Sequence, residues 1–126
     1  ALLDMSWHSL ETAELQDANS FEKNVLKEIG LIEQIAPRYK TGYYSHIFAG
    51  GYSAGYYGYI WSNIYDADTW LAFKENGIFD QKTADLYRKH VLESGGTDDP
   101  TIMYRRFRGQ DPKVEALIER RGLTSK

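Results

Sequence analysis

The chain has 126 residues, 42% of them hydrophobic and 26% charged, with a formal net charge of -3. That balance suits one globular packing unit over residues 1–126, and the missing basic excess argues against nucleic acid as a partner. No apolar run approaches the roughly 18 residues that a bilayer span needs, so no membrane insertion is expected, and zero cysteines exclude disulfides and thiolate chemistry.

The chain opens on an apolar pattern, Leu2, Leu3, Met5, Trp7 and Leu10, with no capping residue ahead of it. It reads as a helix entered after its natural start, and the expectation is a piece of a longer protein. A second helix is expected over Phe21 to Ile29, with Asn19 or Ser20 as its cap and Gly30 as its end. Pro37 and Gly42 then bracket a loop leading through His46 to the paired glycines Gly50 and Gly51. A long helix from about Tyr52 to Asn76 should follow, stopped by Gly77. Asp80 is placed to cap a further helix to about Glu93, with Ala84, Tyr87 and Val91 inward. The last two helices each begin at Asp followed by Pro, at Asp99-Pro100 and Asp111-Pro112, and end at Gly109 and Gly122. No alternating run of β-branched residues is long enough for a sheet, so the fold class is all-α.

The segment from Tyr43 to Tyr59, YYSHIFAGGYSAGYYGY, carries six tyrosines and one histidine among glycines. Glycine weakens a helix interior by roughly 1 kcal/mol against alanine, so this composition serves something other than helix stability. A phenol has an apolar body and a hydroxyl that stays protonated near neutral pH. If Tyr52 onward is helical, Tyr52, Tyr56, Tyr59 and Asn63 share one face and Gly51, Gly55, Gly58 and Ser62 an adjoining one. Tyr57, Ile60, Trp61 and Ile64 would then form the core face. Two readings stand: the tyrosine stripe lines a cleft beside His46, or its aromatic rings are ordinary core. His8 and His90 lie on otherwise regular helices and read as structural. Arg105, Arg106 and Arg108 read as a solvated or salt-bridged face, and Asp98 and Asp99 as capping residues. There is no His-Glu-x-x-His pair, no Gly-x-Ser-x-Gly turn and no phosphate loop. No metal ligand is assigned within the chain.

The run His46-Ile-Phe-Ala-Gly-Gly-Tyr52-Ser-Ala-Gly-Tyr56-Tyr-Gly-Tyr59-Ile-Trp61 closely resembles the signature of the thimet oligopeptidase family of zinc metallopeptidases. The opening ALLDMSWHSL, the loop PRYKTGYYSHIFAGGY, the GGTDDP turn and the closing FRGQDPKVEALIERRGL extend the likeness over almost the whole chain. They look like the C-terminal end of the bacterial peptidyl-dipeptidase (dipeptidyl carboxypeptidase) branch. The resemblance implies a helical portion of a catalytic domain whose zinc ligands lie ahead of Ala1, so zinc belongs to the full-length parent and is bound by no residue here. It also implies catalytic roles for Tyr59, as donor to the oxyanion, and His46, with Tyr52 and Tyr56 binding substrate. The implied partners are an oligopeptide that loses C-terminal dipeptides and the remainder of the catalytic domain, and the isolated piece is expected to be inactive. Cytoplasmic residence is the expectation, with a periplasmic or exported location as the alternative. A non-catalytic peptide-binding helical module, or a structural helical domain without ligand, are the competing readings.

Overall fold

The computed structural model describes residues 1–123, and every regular element among them is helical. In chain order these are α1 (Leu2–His8), α2 (Ala18–Glu28), a 3-10 turn (Thr41–Tyr43), α3 (Ser45–Phe48), α4 (Gly58–Asn76), α5 (Gln81–Tyr87), a π turn (Arg88–Leu92), α6 (Pro100–Arg108) and α7 (Val114–Arg120). No described helix is long and apolar enough to cross a membrane. The residues fall into two compact units, one over Ala1–Tyr59 and one from Ile60 onward.

The first unit forms around Leu3, Val25, Tyr44 and Ile47, with Trp7, Phe21, Tyr39 and Tyr56 packed against them. α1 meets α2 through the rings of Trp7 and Phe21, whose centroids are 3.9 Å apart. Asp17, not Asn19 or Ser20, caps α2: its carboxylate accepts the Ser20 N–H at 2.8 Å, and the helix starts earlier than the apolar pattern suggests. Gly30 follows the helix at φ 72°, where a left-handed residue closes the last turn. Thr41 ties the next loop to both helices. Its N–H donates to Glu22 Oε2 at 2.7 Å and its hydroxyl oxygen accepts from Trp7 Nε1 at 3.1 Å.

In the second unit α4 packs on two faces. Ile64, Ala67 and Leu71 lie at helical spacing against Ala116 and Leu117 of α7. Tyr65 and Ala72 lie on a second stripe with Tyr104 and Phe107 of α6, together with Phe73, Leu86, Tyr87 and Val91. Small alanines at 67 and 72 let both partners approach. Asp68 sits on that second stripe with no exposed surface. It accepts from the Tyr104 hydroxyl at 2.6 Å and from Arg108 Nε at 3.2 Å, and Arg108 continues to Glu75 at 2.9 Å. A buried carboxylate needs such partners, because losing water costs it several kcal/mol otherwise.

Asp80 and Asp99 cap α5 and α6 as their sequence positions suggest, through the N–H groups of Thr83 and Thr101. Gly77 and Gly109 stand at φ 112° and 76° after α4 and α6. Beyond Tyr87 the expected helix to Glu93 widens into the π turn, and the Glu93 N–H reaches back to the Arg88 carbonyl. Asp111 caps nothing. α7 starts at Val114 after Lys113, and the Asp111 carboxylate instead takes Nε and Nη2 of Arg105 at 2.6 and 2.9 Å. Arg106 pairs with Asp98 at 2.9 Å, so Arg105 and Arg106 form a salt-bridged face, whereas Arg108 turns inward to the buried Asp68.

Candidate functional site

His46 lies in α3, a single helical turn anchored by the next residue, Ile47, which has no exposed surface. Immediately after it the chain turns back over the helix end. The N–H groups of Ala49 and Gly50 both reach the Ser45 carbonyl, at 2.7 and 2.8 Å, and the Tyr52 N–H reaches the His46 carbonyl at 3.0 Å. A Cβ on Gly50 would lie 2.9 Å from the His46 Cα and 3.0 Å from its carbonyl oxygen, so only glycine fits there. Gly51 then adopts φ 78°, a region closed to most side chains.

This turn overrides the expected helix from Tyr52. Residues 52 to 57 are a loop, and α4 begins at Gly58. Three anchors hold the loop off the helical path. Ser53 Oγ donates to the Ile47 carbonyl at 2.6 Å. Ala54 sits at φ 54°. The carboxylate of Asp4, wholly buried in α1, accepts the Ala54 N–H on Oδ1 and the Tyr56 N–H on Oδ2, both at 2.9 Å. Tyr52, Tyr56 and Tyr59 therefore do not form a stripe along one helix; two stand on the loop and Tyr59 in the first turn of α4. The proposed core face is also different: Tyr57, Ile60 and Trp61 are exposed, and Ile64 alone of that set packs in a core cluster.

The loop nevertheless gathers the same side chains. The His46 ring centroid lies 5.9 Å from Tyr52, 5.6 Å from Tyr56 and 6.4 Å from Tyr59. Tyr52 and Tyr59 stack at 5.2 Å, and Tyr56 meets Tyr59 at 4.8 Å. Two tyrosines given no site role from the sequence join the ring set, Tyr39 at 5.2 Å and Tyr44 at 6.5 Å from His46. Exposure divides the set. Tyr44 is 4% exposed and belongs to the core, Tyr56 is half-buried, and Tyr52 and Tyr59 are each 40% exposed.

Protonation follows from these surroundings. Hydrogen bonding with Tyr52, then burial, pushes the Tyr59 phenol up to about 12, so it remains a donor at neutral pH. Burial, then the neighbouring Tyr56 and Asp4, likewise raises Tyr44 to about 12. His46 Nδ1 is buried without a hydrogen-bond partner among the described residues. The arrangement thus offers oriented neutral donors on an apolar floor.

His8 is structural, its Nδ1 lying 2.9 Å from Asp4 Oδ1 and from the Asp4 carbonyl oxygen. Among the described residues no group of three or more His, Cys, Asp or Glu side chains is placed to hold a metal ion.

Residues 1–123 match the description "Peptidase family M3", and the chain belongs to that family. It is 39% identical over 125 residues to the dipeptidyl carboxypeptidase of Escherichia coli K12, covering 98% of this chain and 18% of that protein. Oligopeptidase A of the same bacterium is 38% identical over 102 residues, 78% of this chain and 15% of its own length. A probable cytosolic oligopeptidase A of Arabidopsis thaliana is 42% identical over 84 residues, 64% of this chain and 12% of that protein. The chain thus spans less than a fifth of the length of these relatives.

Proposed function

We propose that this chain is the substrate-facing part of a larger zinc metallopeptidase that hydrolyses oligopeptides and releases dipeptides from their C-termini. The observation that carries the reading is the cluster of His46 with Tyr52, Tyr56 and Tyr59, in which the two outer phenols are exposed. The family match supports peptide hydrolysis, and the name of the bacterial relative supports dipeptide release.

In this reading the metal belongs to sequence outside the chain and supplies an activated water when bound. The residues here act on the peptide. Tyr59 donates its phenolic hydrogen to the carbonyl oxygen as negative charge develops on it. His46 hydrogen-bonds the substrate backbone near the scissile bond. Tyr52 orients the Tyr59 hydroxyl and helps position the peptide, and Tyr56 forms the floor between them. The remainder of the catalytic domain is the necessary partner, the isolated chain is inactive, and the compartment is the cytoplasm.

The test is Tyr59→Phe in the gene product that carries this sequence, assayed on peptides with a free C-terminus by mass spectrometry. Losing one donor to a developing oxyanion typically lowers kcat by about 10²–10³. KM should change little, because the bond strengthens in the transition state. Unchanged turnover would remove Tyr59 from this role. Products cut internally, with no dipeptides released, would replace dipeptide release by endopeptidase action.

A further inference from the structure

We propose that Asp4 is a positioning residue for the tyrosine loop, acting through the backbone and touching no substrate. The inference rests on the peptidase reading and extends it to a residue of the first helix. Asp4 stands among the apolar residues Leu2, Leu3, Met5 and Trp7 of the first helix, and it is fully buried. A core position of that kind is normally apolar; a carboxylate there needs donors. It finds them in its own helix and 50 and 52 residues away along the chain: His8 Nδ1, the Ala54 N–H and the Tyr56 N–H, each at 2.9 Å.

Each oxygen of the carboxylate takes one loop amide, so the two bonds define both the distance and the orientation of residues 54 to 56. The amide between them, of Gly55, turns away to the Tyr52 carbonyl at 2.9 Å, and Ala54 stands at φ 54°, a left-handed conformation that the two carboxylate bonds help to hold. The clamped segment lies between Tyr52 and Tyr59, whose rings stack at 5.2 Å beside His46. Releasing the segment frees the chain that spaces those rings, and a shift of about 1 Å in a catalytic group can cost on the order of a hundredfold in rate. Alternative roles for Asp4 are narrower. No metal cluster includes it among the described residues, and its burial keeps it from substrate.

Asp4→Asn tests the proposal, because the amide has nearly the same shape but turns one acceptor into a donor facing another donor. In the gene product that carries this sequence, amide hydrogen exchange at Ala54 and Tyr56 should accelerate at least tenfold while α2 amides keep their wild-type rates. Peptide hydrolysis should lose at least tenfold in kcat, with KM within threefold. The double variant Asp4→Asn/Ala54→Gly supplies a rescue, since glycine adopts the left-handed conformation unaided. It should recover at least threefold of the lost kcat, and it is the variant to use if Asp4→Asn alone does not fold. Unchanged exchange at Ala54 and Tyr56, or accelerated exchange with kcat within twofold of wild type, would overturn the proposal. So would absence of rescue. Failure of the wild type to cleave peptides would instead remove the peptidase reading, while the exchange measurement judges the Asp4 clamp separately.

Discussion

Gly50 is the position at which fold and site depend most directly on one missing atom. Its Cβ, in Gly50→Ala, would stand 2.9 Å from the His46 Cα and 3.0 Å from the His46 oxygen, with the Ser45 oxygen at 3.3 Å. Comfortable carbon contacts lie at about 3.5–4.0 Å, so the new methyl requires a displacement of roughly 0.5–1 Å. All three obstructing atoms are backbone, and none has a rotamer with which to retreat. Overpacking of this kind costs about 1–3 kcal/mol. The displaced element is α3 itself, so the strain moves His46 relative to Tyr52, whose N–H is bonded to the His46 carbonyl at 3.0 Å. Urea unfolding of the gene product should show the loss as a lower midpoint at unchanged slope. Peptide hydrolysis should fall with it, at temperatures where the variant is still folded. Gly42→Ala is the matched control: its Cβ would meet nothing within 4 Å and its φ is not in the left-handed region. It should be neutral, or stabilising by about 0.4–1 kcal/mol through a less flexible unfolded chain. A Gly50→Ala protein within about 0.5 kcal/mol of wild type would refute the close-approach argument, since that is the scatter expected of ordinary surface substitutions.

Two further outcomes test other parts of the structure. Tyr104→Phe removes the 2.6 Å bond to buried Asp68, whose other oxygen already has no partner among the described residues, and should destabilise the protein by about 1.5–3 kcal/mol by urea unfolding; a loss below 0.5 kcal/mol would mean that Arg108 alone satisfies the carboxylate. Tyr44, raised to about 12 by burial, binds its proton more tightly folded than unfolded, so its contribution is complete below the ordinary phenol value near 10 and is lost as pH rises toward 12. The loss is of the order of a few kcal/mol at most. Phenolate absorbance and unfolding followed together should show Tyr44→Phe losing less stability than wild type between pH 10 and 12; equal losses would exclude Tyr44 as a source of alkaline destabilisation.

The helical class, the caps at Asp80 and Asp99 and the stops at Gly30, Gly77 and Gly109 were legible in the sequence because each depends on neighbours a few residues away. So was the identity of the clustered side chains, His46 with Tyr52, Tyr56 and Tyr59, since their composition is ill-suited to a plain core. Their arrangement was not legible. Tyr52, Tyr56 and Tyr59 have helical spacing, yet the loop prevails, because Gly50 packs against the α3 backbone and Asp4 takes the Ala54 amide together with the Tyr56 amide that a helix would have bonded to its own carbonyl. The Asp17 cap lay just outside the apolar pattern that marked the helix, and Asp111 abandoned its expected cap for a bidentate arginine. Tyr39 and Tyr44 reach the site from the preceding loop, a placement that no periodicity encodes. Local propensity and backbone chemistry are written in runs of a few residues. A buried carboxylate that organises a loop 50 residues away acts through contacts that exist only once the chain has folded.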